Sequence, residues 1–473
     1  MRGLARALTG LALAACSQDH TLTLHIVTPV GDDPFQQAST VRVSAGSHQS
    51  SSPVTGSHFN LSFTFSTGSQ SGLAPIVVDA LAGNGSIVGH GATPPYPLAP
   101  TDAGVWVYVA RPGSLTQPPS ASDASKPFQL NPARSRHAAV FYSGFGVFLA
   151  GGRSGPGNPL TSVSLWSSYG LVELTARDPS VLALSAARSD LASGAASNGY
   201  LYLVGGADGM GAPTSLGEYM DPTGSIGVPF VRTATQGGQP QLARAQAAAA
   251  FGSEGFLLFG GLGTGGTPQA GAILFDLSGS QLVGWTGAVP RLGATATAIL
   301  MGAQVIVFGG GPAGMPVMER YSSKTSALTI TPDPTANRTD HSATLLDDGR
   351  ILFVGGHDDT GSPLASATVY DPGTNMAVEM PGFLTYARSG HTASKVGKEI
   401  LIAGGQAGTG NLVAPAEAFD AHTLTPLGHA IALSQPRLRH AAVNPGNDTV
   451  VILGGEDANG AAIGAVEIYQ PVP

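Results

Sequence analysis

Seven times between residues 151 and 455, an apolar run ends in two consecutive glycines. The pairs are Gly151-Gly152, Gly205-Gly206, Gly260-Gly261, Gly309-Gly310, Gly355-Gly356, Gly404-Gly405 and Gly454-Gly455, at intervals of 54, 55, 49, 46, 49 and 50 residues. Self-similarity at such a period marks a repeat architecture, in which each unit is one supersecondary element that cannot bury its apolar face alone. Glycine weakens a strand interior, so a pair at the end of a good strand signals a sharp bend or a close approach of backbones.

The unit is clearest at 340–361, "DHSATLLDDGRILFVGGHDDTG". A short alternating strand, a turn, a run of branched apolar residues, the glycine pair and an acidic loop follow one another. First strands recur as "RHAAVFY", "GHTASKV" and "RHAAVNP", and second strands as "VFLAGG", "LYLVGG" and "VVILGG". A third strand ends on an aromatic residue: Trp166, Tyr219, Phe275, Tyr321, Tyr370, Phe419 or Tyr469. A weaker fourth strand closes the unit. Charged residues are only 11% of the chain, and the shortage of Glu and Lys argues against long surface helices. The expected class is all-β.

The double glycine after strand two and the aromatic-Asp pairs of strand three (Tyr370-Asp371, Phe275-Asp276, Phe419-Asp420) resemble the kelch repeat. The resemblance covers about 345 residues, 127–473, although the Trp usual in strand four is mostly missing and only Trp285 falls near such a position. It implies a seven-bladed β-propeller, four-stranded blades around a central channel. The last unit, "AVEIYQPVP", supplies a third strand but no fourth, while "KPFQLNP" ahead of the first unit alternates at Phe128 and Leu130. That segment is expected to complete the last blade, which would suppress exposed edges and tie both ends of the chain together.

Ahead of the repeats, 16–112 contains short alternating runs, "TLTLHIV", "STVRVSAG", "HFNLSFTF", "PIVVDALAG" and "GVWVYVARPG". Their spacing suggests a small antiparallel, Ig-like β-sandwich. The Pro- and Ser-rich stretch 113–126 reads as an extended linker. Residues 1–15, "MRGLARALTGLALAA", combine a basic start with a short apolar stretch ending in small residues, as an export signal does. Leu13, Ala14, Ala15 and Cys16 resemble the lipobox of bacterial lipoproteins, and the chain's one cysteine stands where that motif places the acylated residue. The resemblance implies a lipid anchor at Cys16. Ser17 in place of Asp favours the outer membrane.

A single cysteine allows no intrachain disulfide and no Cys-based zinc site. The net charge is −8, and loss of Arg2 and Arg6 with the signal would leave 20 basic against 30 acidic residues, or −10. Nucleic acid is therefore not an expected partner.

Most first strands open with Arg-x-x-His or a relative: Arg134 and His137, Arg338 and His341, Arg388 and His391, Arg437 and His440. Arg188 stands in the same place in unit two, and Arg244 and Arg291 lie one residue off in units three and four. Arg presents a planar fork suited to carboxylates and phosphates, so a ring of these side chains around one channel mouth is a candidate anion site. The alternative is structural: each Arg ties neighbouring blades through carbonyls or a carboxylate. Placement around a ring separates the four histidines too far for a shared metal. "DDTG" and "EDANG" lack the alternating ligands and distal Glu of an EF-hand, so turn formation explains their Asp residues.

Galactose-oxidase-like chemistry needs a Tyr-Cys crosslink, and no Cys lies in the repeats. No Asp boxes and no paired carboxylates set a catalytic site above a binding role. No cofactor and no metal is expected. The expectation is a monomeric, non-enzymatic envelope protein that binds another envelope protein or a polysaccharide. A sugar-acid isomerase and a purely structural envelope component remain as alternatives.

Overall fold

The computed structural model describes residues 6–8, 24–58, 73–97, 105–142, 146–166, 173–174, 183–196, 200–221, 231–236, 240–276, 279–283, 288–299, 303–322, 325 and 327–473. Cys16, Trp285, most of the signal stretch and the run 59–65 lie outside them. The described chain is all-β, in many small antiparallel sheets.

The N-terminal region has a four-stranded antiparallel sheet, ordered His48–Pro53, Thr40–Ala45, Ile76–Leu81, Ile87–Ala92. Facing it, Leu24–Val27 pairs with Val105–Tyr108, with Arg6–Leu8 on its other side. Leu24, Ile26, Val41, Val43, Val78 and Val107 form one core between the two layers. The 24–27/105–108 pairing is parallel, unlike the antiparallel arrangement expected for every strand. No hairpin joins these strands, so no turn dictates their relative direction.

Seven more four-stranded sheets follow, one per glycine-pair unit. Unit five is representative: Ser342–Leu345, Ile351–Val354, Ala367–Asp371 and Met376–Met380, adjacent in chain order. Every residue of its second strand is buried, because successive side chains point to opposite faces and both faces are covered. Ile351 and Phe353 pack against Ile306 and Phe308 of unit four. Leu352 and Val354 pack against Ile400 and Ile402 of unit six. The same exchange links units one and two, two and three, three and four, and six and seven. Val451 and Leu453 of unit seven then meet Val147 and Leu149 of unit one. The sheet-to-sheet contacts thus follow a cyclic order.

The glycines sit at the contact between units. Gly404 has φ +66°, and a Cβ there would stand 2.5 Å from the Arg437 carbonyl oxygen of the next unit. Gly405 has φ +89°, and its Cβ would stand 2.7 Å from the Ser389 carbonyl oxygen of its own unit. Both the left-handed conformation and the crowding require glycine.

Closure differs in detail from the sequence reading. The fourth strand of the last sheet is Ser114–Thr116, which pairs with Val466–Gln470. Part of the stretch read as a linker therefore belongs to a sheet. Phe128 and Leu130, expected as that outer strand, are instead buried in the core between units seven and one, and Gln129 adds a single bridge to Ala465. A three-residue strand beside prolines carries too little alternation to be recognised in sequence. The N-terminal region joins this sheet without a free spacer: Tyr108 Oη lies 2.9 Å from Thr116 Oγ1, the Val30 N–H donates to the Gln117 carbonyl at 3.0 Å, and Arg111 Nε meets Asp32 at 2.8 Å.

Candidate binding site at the mouth of the ring

Each unit begins with an arginine whose backbone and side chain do different things. Its carbonyl accepts a hydrogen bond from the second glycine of the preceding pair at 2.8–3.0 Å, from Gly152→Arg188 through Gly405→Arg437, and Gly455→Arg134 closes the cycle. Its guanidinium turns into its own unit. Arg134, Arg188, Arg244, Arg291, Arg338, Arg388 and Arg437 all donate to the carbonyl of the first glycine of their own pair. Arg244 and Arg291, one residue off in sequence, make the same contact as the rest.

Further donors go to the start of the third strand. Arg188, Arg291, Arg388 and Arg437 meet Glu218, Glu319, Glu417 and Glu467. Arg134 meets the hydroxyls of Ser162 and Ser164, and Arg338 those of Ser366 and Thr368. All seven arginines are at most 5% exposed. This corrects the expectation of an open guanidinium ring: the side chains that the sequence singled out are clamps inside the units, because that is where carbonyls and carboxylates need donors. Sequence reading missed the four glutamates and placed Tyr219 at the end of unit two's third strand, where Met220 holds the buried position.

The histidines serve the contact between units. His341, His391 and His440 place Nε2 2.8–2.9 Å from Thr295, Ser342 and Thr392, each a hydroxyl in the preceding unit. Burial, reinforced by the neighbouring arginine, pulls His391 and His440 down to about 3 and His341 well below its ordinary value. These are neutral rings, too far into the packing to bind a ligand. At His137 the equivalent residue of the preceding unit is Ala441, and both shielded ring nitrogens are without a partner. Burial likewise pulls His137 down to about 3. The variant Ala441→Ser should give His137 its missing hydroxyl and raise stability by about 1 kcal/mol, read as a higher denaturant midpoint at unchanged slope.

The residue two after each arginine makes a further link between units. Arg136, Asp190, Gln246, Gly293, Asp340, Gly390 and Arg439 all have φ between 52° and 65°. Six backbone hydrogen bonds of 2.9–3.2 Å pass from one to the next, including Arg136 N–H to the Arg439 carbonyl across the seam. These seven left-handed positions carry variable side chains and are linked in turn at every step but that from Gln246 to Gly293. The signal was present between the recurrent Arg and His, in "RSRH", "RTDH", "RSGH" and "RLRH".

Charge concentrates where units seven and one meet. Glu456 accepts from Arg136 Nε at 3.3 Å, Arg153 Nη2 at 2.8 Å and Arg439 Nη1 at 2.7 Å. Burial pushes its carboxyl up, but Arg136 and the hydrogen bonds from Arg439 and Arg153 prevail and hold it at about 2. Arg136 also meets Asp190 at 3.2 Å. In unit five, His357 stands 3.7 Å from Asp340, whose nearby carboxylate raises its pKa. Among the described residues, no three His, Cys, Asp or Glu side chains gather as a metal would require.

In comparison with known proteins, no family model matches the chain and no curated protein matches it.

Proposed function

We propose that the seven sheets are the blades of a kelch-type β-propeller, carried behind an Ig-like sandwich on an acylated Cys16 in the outer membrane. In this reading the protein is a monomeric binding component of the cell envelope and takes a polysaccharide or another envelope protein on the face of the glycine-pair loops. The observation that carries it is the rim: variable side chains, the guanidiniums of Arg136 and Arg439 among them, stand on left-handed positions that recur in all seven units. Variable groups on a rigid support are what recognition needs. A catalytic role is less well supported, since Glu456, the carboxylate at the centre of the charged groups, is held at about 2 and is a poor base near neutrality.

Capture from cell envelopes on the full-length chain in detergent tests the reading. A partner retained by the natural protein and lost by the double variant Arg153→Ser/Arg439→Ser is expected. Equal capture by both would exclude the mouth. Mass spectrometry of the N-terminal peptide tests the anchor: acylation at Cys16 is expected, and an unmodified Cys16 refutes it.

A further inference from the structure

We infer that Arg136, Arg153 and Arg439 form a subsite for the carboxylate of an acidic glycan. This deepens the binding reading above and rests on it. Three guanidiniums face two carboxylates, Glu456 and Asp190, so within this cluster the guanidiniums outnumber the carboxylates by one. Donors are also in excess. Arg439 is 38% exposed and contacts Glu456 through Nη1; among the described residues its Nε and Nη2 have no partner. Arg153 contacts Glu456 through Nη2, while its Nε is buried without a hydrogen bond. A second carboxylate reaching the exposed Arg439 would accept from its Nε and Nη2 in charge-assisted bonds, with the Arg153 charge beside it.

The surroundings select the rest of the ligand. The loops of units seven and one abut at Gly460 and Pro156, and those of units one and two at Gly157 and Gly209. They carry the exposed polar side chains Ser154, Asn158 and Asn459 beside the triad. None of the seven loops after the glycine pairs contains Phe, Tyr or Trp. Their exposed large apolar tips, Met210 and Met315, belong to units two and four and are not neighbours. Protein interfaces depend on clustered aromatic and apolar anchors, which these loops lack, whereas hydroxyl-rich chains need hydroxyls and amides around a charge.

The full-length protein in detergent should be titrated with oligogalacturonate, with a neutral galactose oligomer and a Glu-rich peptide of matched charge as comparisons. Saturable, salt-sensitive binding of the oligogalacturonate alone is expected, weakened about tenfold or more by Arg439→Gln or Arg153→Gln. Arg350→Gln, in the turn between the first two strands of unit five, should leave it unchanged, and thermal unfolding will show that each variant is folded. Absence of oligogalacturonate binding, indifference to both mouth substitutions, or equal affinity for the peptide would overturn the inference. If envelope capture still depends on the mouth, the binding reading survives; if it does not, both fall.

Discussion

Mild acid is expected to unfold the seven-sheet array at a pH where its carboxylates are still ionised. Four histidines are responsible. In the folded protein, burial and then the adjacent arginine pull His137, His391 and His440 down to about 3, and His341 well below its ordinary value. In the unfolded chain each titrates near its ordinary value of about 6.5. Between those limits the unfolded state binds protons that the folded state cannot, so stability is complete above about pH 6.5 and declines as pH falls toward 3. Each histidine loses up to about 1.4 kcal/mol per pH unit, so four lose up to about 8 kcal/mol by pH 5, which rivals the whole stability of an ordinary domain. Glu456 acts in a separate window. With its folded pKa held near 2, its contribution is present above the ordinary carboxylate value and lost only below it. Thermal unfolding at pH 7.5, 6 and 5 should show a steep fall in Tm, and His137→Leu should flatten that slope by about a quarter, its one share in four. A Tm that does not move between pH 7.5 and 5 would show that these rings are not held neutral by the fold.

The histidines also show where sequence reading succeeds and where it stops. Recurrence made the glycine pairs, the apolar second strands and the Arg-x-x-His spacing visible, because each repeats a local requirement seven times. The destination of a side chain is not local. Arg437 reaches Glu467, thirty positions on, and whether its fork points into the sheet or into the mouth depends on how the third strand returns. A weak signal existed: Glu319, Glu417 and Glu467 each stand two residues before the strand-three aromatic in otherwise apolar runs. The recurrent arginines admit two readings from sequence, an anion site or a structural tie, and their burial decides for a structural role. Arg136 and Arg439, the variable residues between Arg and His, carry the charge around Glu456 instead. Ser114–Thr116 escaped because three residues define no period. The pairing of Thr392 with His440 was legible in principle, since Ser or Thr follows the inter-unit contact wherever the next unit offers His, except at Ala441.

Replacing Arg437 is expected to be strongly damaging, and to differ in size from the same change at Arg338. Both guanidiniums are almost fully buried and both donate to three backbone carbonyls, Gln435, Gly454 and Ala465 for one, Thr335, Gly355 and Ser366 for the other. They differ in what lies beyond. Arg437 neutralises Glu467, which is 1% exposed and whose other oxygen accepts the Ser434 N–H at 3.0 Å; Arg338 meets only the hydroxyls of Ser366 and Thr368. Arg437→Leu leaves a carboxylate buried without its counter-charge, a loss of about 3–5 kcal/mol. Arg338→Leu strands no charge and removes a desolvated cation, so the loss should be smaller, about 1–3 kcal/mol. Adding Glu467→Leu to Arg437→Leu should then recover a large part of the stability, because an apolar pair of similar volume fills the site. Denaturant unfolding of the three variants decides the matter. If Arg437→Leu unfolds like the natural protein but no longer captures its envelope partner, the clamp assignment fails and the buried arginines return as ligand-binding groups.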